Sequence, residues 1–278
     1  MNIALVQQAA GPDRAANLER ATEAITRAAR AGAGLVAFPE LAVDRFFPQR
    51  ENDPSAAGLA EPIPGPTSDR IAAAAREHGV VIVFNMYELA EDGRRYDSSP
   101  VFDADGSLLG VTRMVHITEY ACFHEQGYYA EGDRGAPVYD TAVGRVGVAI
   151  CYDRHYPEYM RRLGELGARL VVIPQAGSVG EWPEGLYEAE VRVAGFQNGY
   201  FVALCNRVGR EERLTFAGES FVVDPEGTVI ARAASGEETI LHAEIDLSAC
   251  VGSTARRLFW RDRRPDLYRE WSSPRVVT

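Results

Sequence analysis

Apolar residues fall into two kinds of run along the first two thirds of the chain. Short β-branched clusters, beginning with Ile3-Ala4-Leu5-Val6, read as buried strands, and alanine-rich stretches with apolar positions three and four apart read as helices. The pattern predicts strands over 3–6, 34–38, 80–85, 146–150, 170–173 and 200–205, and helices over about 14–31, 67–78, 157–167 and 184–197. Two hairpins turn at Asp103-Ala104-Asp105-Gly106 and Asp224-Pro225-Glu226-Gly227, where glycine supplies a positive φ. Alternating strands and helices with added hairpins mean an α/β fold with mixed sheets. The Pro-rich stretch Glu61-Pro62-Ile63-Pro64-Gly65-Pro66 runs straight into a helix and marks no domain boundary, so all 278 residues are expected to form one domain. The tail from 255 to 278 carries Leu258, Phe259, Trp260, Leu267, Tyr268 and Trp271, which predicts docking on the body or on a second subunit.

Composition narrows the chemistry. All 29 basic residues are arginine, and no lysine occurs anywhere in the chain. Schiff bases, a phosphate-loop lysine and a lysine general base are therefore excluded, and arginine does not substitute as a proton shuttle because it stays charged. A net charge of -11 and a pI near 5.0 argue against nucleic acid and membrane surfaces as partners and leave a small molecule as the expected one. The first residues lack a basic leader, and no later run reaches the roughly 18 apolar residues of a membrane span, so a cytoplasmic location is expected. Four scattered cysteines make neither a disulfide framework nor a CxxC pattern, and five histidines show no ligand spacing. With no phosphate loop or dinucleotide fingerprint either, neither a metal nor a cofactor is expected.

Three residues stand where chemistry is plausible. Cys151 follows the strand Val146-Gly147-Val148-Ala149-Ile150 and precedes a helix opened by Pro157 and Glu158, a position that favours thiolate through the helix end. A lone cysteine is more often a small buried apolar residue, and Cys205 fits that description. Glu40 ends Gly34-Leu35-Val36-Ala37-Phe38-Pro39-Glu40, at the sheet edge where open α/β folds bind ligands; alone, such a residue is more often a solvated loop glutamate. Glu125 lies in the aromatic stretch Phe123-His124-Glu125-Gln126-Gly127-Tyr128-Tyr129, as a buried carboxylate or a surface charge between tyrosines.

In their order, these blocks resemble the nitrilase, or carbon–nitrogen hydrolase, superfamily. Ala37-Phe38-Pro39-Glu40-Leu41, Glu125 before Tyr128-Tyr129 and Gly132-Asp133, and Ile150-Cys151-Tyr152-Asp153 carry the likeness, with weaker support from Asn206-Arg207-Val208-Gly209. The resemblance implies a four-layer αββα sandwich and a homodimer or higher homo-oligomer. It also implies that Cys151 attacks an amide or carbamoyl carbon, Glu40 moves protons, Glu125 orients the site and the Tyr152 N–H helps hold the oxyanion.

The family's fourth essential residue is a lysine two positions before a histidine. In Thr112-Arg113-Met114-Val115-His116 that position falls on Met114, while Arg113 and His116 match. One reading is a hydrolase with altered or weakened chemistry. The other is a degenerate homologue, natural or engineered, that binds a small amide or carboxylate without turnover. Without the lysine, at least one of Glu40 and Glu125 is expected to have a raised pKa; Arg113 and Arg154 are the candidate replacement cations, and nothing in the sequence places either guanidinium at the site. The stretch Cys151-Tyr152-Asp153-Arg154-His155 resembles the branch acting on N-carbamoyl amino acids, with Arg154 and His155 as anchors for a substrate carboxylate; pairing of Arg154 with Asp153 or Glu158 is the competing reading. Gln175 departs from the small hydroxyl residue common in that branch and makes the pocket floor more polar or smaller. Trp182 and Tyr187 line the mouth or simply pack.

Overall fold

The computed structural model describes residues 1–271. Strand β1 (Asn2–Gln7) leads into helix α1 (Arg14–Arg30), whose N-cap Asp13 accepts a hydrogen bond from the Ala16 N–H and whose Ala21, Ala24, Ile25 and Ala28 are buried on one face. Strand β2 (Ala33–Ala37) follows, then helix α2 (Pro66–His78), opened by Pro66 and closed by Gly79 in the left-handed region at φ 64°. Strands β3 (Val81–Val83), β4 (Met86–Leu89), β5 (Arg95–Phe102) and β6 (Leu108–Arg113) complete the first half. The first sheet runs Thr239–Glu244, β1, β2, β3, β5, with β4 and β6 also pairing to β5; β1, β2 and β3 are parallel.

The second sheet runs Val229–Arg232, Phe221–Val223, Phe201–Asn206, Leu170–Gln175, Gly144–Val148, Val138–Thr141, with its three central strands parallel. Helices α3 (Pro157–Glu165) and α4 (Leu186–Asn198) cover it. Three apolar clusters separate the layers. One, with Ile25, Val36 and Ile82, lies under α1 and α2; one, with Leu5, Val148 and Ala203, fills the space between the sheets; one, with Leu163, Val171 and Val202, lies under α3 and α4. These are the four layers, αββα, expected above. Because Leu170–Gln175 is buried on both faces, it reads in the sequence as a continuous apolar run instead of an alternating one.

Both hairpins form, with Gly106 at φ 84° and Gly227 at φ 79°. The expected strand over 80–85 stops at Val83, because Asn85 leaves the ladder and spends its side chain on the Leu41 N–H and on Asp97 and Ser99 of β5. The helix expected over 157–167 ends at Glu165, where the chain turns toward Gly167 at φ 83°. The tail docks on the body over some of its length. Ala255 is fully buried, the Trp260 ring packs beneath the guanidinium groups of Arg256, Arg263 and Arg161, and Arg263 bonds Glu165 at 2.6 Å. Leu258, Tyr268 and Trp271 are exposed, and 272–278 lie outside the described residues. Among the described residues no helix is long and apolar enough to cross a membrane.

Candidate active site

The parallel strands of both sheets deliver their chemistry at their C-terminal ends, where side chains leave the ladder and face one another. Glu40 lies three residues beyond β2, Cys151 three beyond Gly144–Val148, and Gln175 is the last residue of its strand. Two of these turns are strained: Cys151 has φ 41°, and Leu41, next to Glu40, has φ 47°. Non-glycine residues hold such angles only when their surroundings enforce them. For Leu41 the enforcing group is Asn85, whose Oδ1 accepts from the Leu41 N–H at 2.6 Å.

Glu40 and Glu125 are fully buried and Cys151 is 5% exposed, so the three residues expected from the sequence do come together away from water. A fourth joins them that the sequence does not single out. Asp97, on β5, is fully buried; its Oδ1 accepts from Asn85 Nδ2 at 2.5 Å, and its carboxyl meets that of Glu40. The Glu40 carboxyl therefore lies between the Cys151 thiol and Asp97. No side-chain amide or cation bonds either oxygen of Glu40 or of Glu125, or Oδ2 of Asp97. Two carboxyls so close do not both ionise readily, and each raises the other's pKa.

Burial first, then the charge of Glu125, pushes the Glu40 pKa from 4.5 to about 8. Burial and Glu40 raise Asp97 well above the usual carboxylate range, and burial and Asp97 do the same to Glu125. The expected rise thus involves all three acids. The thiol moves opposite to expectation. Burial, Glu40 and Glu125 push the Cys151 pKa well up, outweighing the Arg154 charge. Cys151 is therefore held as a neutral thiol.

Met114 is fully buried in the apolar cluster that contains Cys151. Its N–H donates to the Asp97 carbonyl at 2.9 Å and its carbonyl accepts from the Gly132 N–H at 2.8 Å. Asp153 ties the next two residues to the Cys151 turn, accepting from the N–H groups of Val115 and His116 and from His116 Nδ1 at 2.7 Å. Arg113 does not turn toward the thiol. Its Nε and Nη2 grip both oxygens of Glu88, its Nη1 holds Asp133 at 2.9 Å, and its plane lies over Tyr96.

Arg154 does lie beside the nucleophile candidate. Its Nη1 donates to the Cys151 carbonyl at 3.0 Å and to Gln175 Oε1 at 3.1 Å, which turns Gln175 Nε2 onto Cys151 Sγ at 3.1 Å. The competing expectation, that Arg154 pairs with Asp153 or Glu158, gives way to Glu190, 3.4 Å from Nε. Arg154 Nη2 is left without a hydrogen-bond partner. His155 bonds Glu190 through Nδ1 at 2.7 Å. Tyr152 is the second residue of the 3₁₀ turn Cys151–His155, whose first N–H groups have no partner within the turn.

Glu181 organises the adjoining loop, accepting from the Ser178 N–H at 2.9 Å and from the hydroxyls of Tyr187 and Tyr120 at 2.6 and 2.5 Å. Trp182 and Tyr187 line a cleft of about 520 Å³ with Glu181, Asn206 and Arg232; Cys151 is not on its wall. Cys205 is a buried residue between the sheets, as expected.

Residues 2–254 match the family described as carbon-nitrogen hydrolase. The chain belongs to the carbon–nitrogen hydrolase family. This hydrolase is 31% identical to the N-carbamoylputrescine amidase of Solanum lycopersicum, over 97% of the chain and 94% of that protein. It is likewise 31% identical to a citrullinase of Francisella tularensis, over 97% of each. Among solved structures, a carbon–nitrogen hydrolase from Helicobacter pylori superimposes with a TM-score of 0.92 at 30% identity, covering 99% of both chains.

Proposed function

We propose that Cys151 is the nucleophile of a hydrolase acting on the carbamoyl or amide carbon of a small substrate. The observation that carries this reading is the burial of the Cys151 thiol, on a strained turn, together with the unpaired Glu40 and Glu125 carboxyls in a water-excluded site. Glu40 takes the thiol proton as sulfur attacks, and returns it to the departing ammonia or amine. Water then enters, Glu40 takes its proton, and the thioester-level intermediate is released as the thiol re-forms. Glu125 holds the carboxyl group in place, and the Tyr152 N–H faces the developing oxyanion.

Met114 occupies the position of the family lysine in this reading. Losing one preorganised oxyanion donor costs about 10²–10³ in rate elsewhere, roughly 2.7–4 kcal/mol, so turnover of neutral amides is slow. Arg154, His155 and Gln175 form the substrate side, with the spare Arg154 Nη2 suited to a substrate carboxylate. The relatives named for N-carbamoylputrescine and citrulline favour a ureido group over a simple amide.

The test is ammonia release from N-carbamoyl amino acids, N-carbamoyl amines and ω-amides, each compared with Cys151→Ala. Ureido turnover that falls at least about 10⁴-fold in the variant is expected. Equal rates in the two proteins overturn the proposal. Retained binding without turnover fits the second reading, a binding protein.

A further inference from the structure

Each arginine near the site already has an acid of its own. Arg113 is matched by Glu88 and Asp133, Arg154 by Glu190, and Arg207 by Glu211 at 2.6 Å, with Arg207 Nη1 donating to the carbonyls of Glu40 and Leu41 and Nη2 to that of Asp44. Glu40, Asp97 and Glu125 have no such partner, and the buried Tyr129 hydroxyl beside them is also unbonded. The chain has no lysine to add. Buried acids in this state keep protons unless a cation reaches them. Among the described residues no group has the arrangement of a metal site, so an organic cation with N–H donors is the better match.

We propose that this site takes a guanidinium group in preference to the ureido group of the same shape. The inference rests on the reading of Cys151 and Glu40 given above. A ureido carbon bears one oxygen and two nitrogens in a plane, and a guanidinium carbon bears three nitrogens in the same plane with a delocalised positive charge. Its N–H groups suit paired carboxylate oxygens in two-point contacts. The reaction also removes the need for a lysine. Thiolate addition to a neutral urea builds an oxyanion, whereas addition to a guanidinium cancels a charge and leaves a neutral carbon bearing three amino groups. Met114 and Asp97 then belong together, one withdrawing a cation from the site and the other adding an acid.

The steps balance. Glu40 accepts the Cys151 proton, the S–C bond forms, and Glu40 protonates one amino group, which leaves as ammonia. The remaining S-linked amidinium is attacked by water, Glu40 takes the water proton, the C–S bond breaks, and the thiol is re-formed. Guanidinium and water become a urea and ammonium.

The experiment compares N-butylguanidinium with N-butylurea in the intact protein, reading kcat/KM from ammonia release and identifying the urea product by mass spectrometry. Guanidinium is expected to exceed urea by at least about tenfold, with both activities lost in Cys151→Ala. Asp97→Asn should lower the guanidinium-to-urea ratio by about tenfold or more. Met114→Lys should reverse the preference, because an ammonium repels the guanidinium and steadies the oxyanion. If Asp97→Asn does not fold, Met114→Lys carries the test alone. Urea turnover without guanidinium turnover overturns this inference and leaves the hydrolase reading standing. A ratio unchanged in both folded variants also overturns it. No turnover of either compound also overturns this inference, and the ammonia-release panel above then decides the hydrolase reading.

Discussion

Arg113 and Met114 are neighbours in the chain and stand in opposite electrostatic settings. The Arg113 guanidinium is almost fully buried, and its Nε, Nη1 and Nη2 all reach carboxylates, with the aromatic face of Tyr96 against its plane. Met114 lies in the cluster with Cys151 and bonds the Asp97 backbone, and no cation hydrogen-bonds the buried Glu40, Asp97 or Glu125 carboxyls. The first arrangement is what stability requires, since a buried charge is tolerated when it is paired and hydrogen-bonded. The second costs stability and persists beside the proposed nucleophile, the usual place for such a cost. A few ångströms of chain thus separate a charge system closed on itself from one left open for an incoming molecule.

The comparison breaks most severely at its closed side. Arg113→Met strands Glu88 in the core and should destabilise the fold by about 3–5 kcal/mol, measured by urea denaturation. A loss under about 1 kcal/mol would mean that the Arg113 network behaves like a surface ion pair. The open side should respond with the opposite sign and a smaller size. Glu125→Gln removes an acid that is protonated only at a cost near neutral pH, and should raise stability at pH 7 by about 1 kcal/mol while lowering turnover. Unchanged stability together with unchanged turnover would show that Glu125 sits in no special setting.

Much of this is readable before the fold. The β-branched runs place six strands within a few residues, and motif order places Glu40, Glu125 and Cys151 correctly relative to one another. Asp97 escapes because Tyr96-Asp97-Ser98-Ser99 lacks a local motif and its meaning comes from pairing across β5, where Met114 donates to its carbonyl. An acid inside a strand is the available signal, since aspartate is depleted there. The Cys151 pKa is misjudged from sequence for a related reason: its helix end is visible there, whereas burial and two facing carboxyls come only with the fold. Arg113 looks free to approach the thiol, and Glu88 and Asp133, distant in sequence, hold it elsewhere.

The open acid set is tested most directly by stability as a function of pH in the wild type and in Glu40→Gln. A carboxyl raised from 4.5 to about 8 on folding binds its proton more tightly in the native state. Its contribution is therefore fully present below about pH 4.5 and is lost as pH rises to about 8. Denaturation midpoints of the wild type should fall across that window more steeply than those of Glu40→Gln. Parallel curves would mean that Glu40 ionises normally in the native protein, contradicting a buried acid set without a cation.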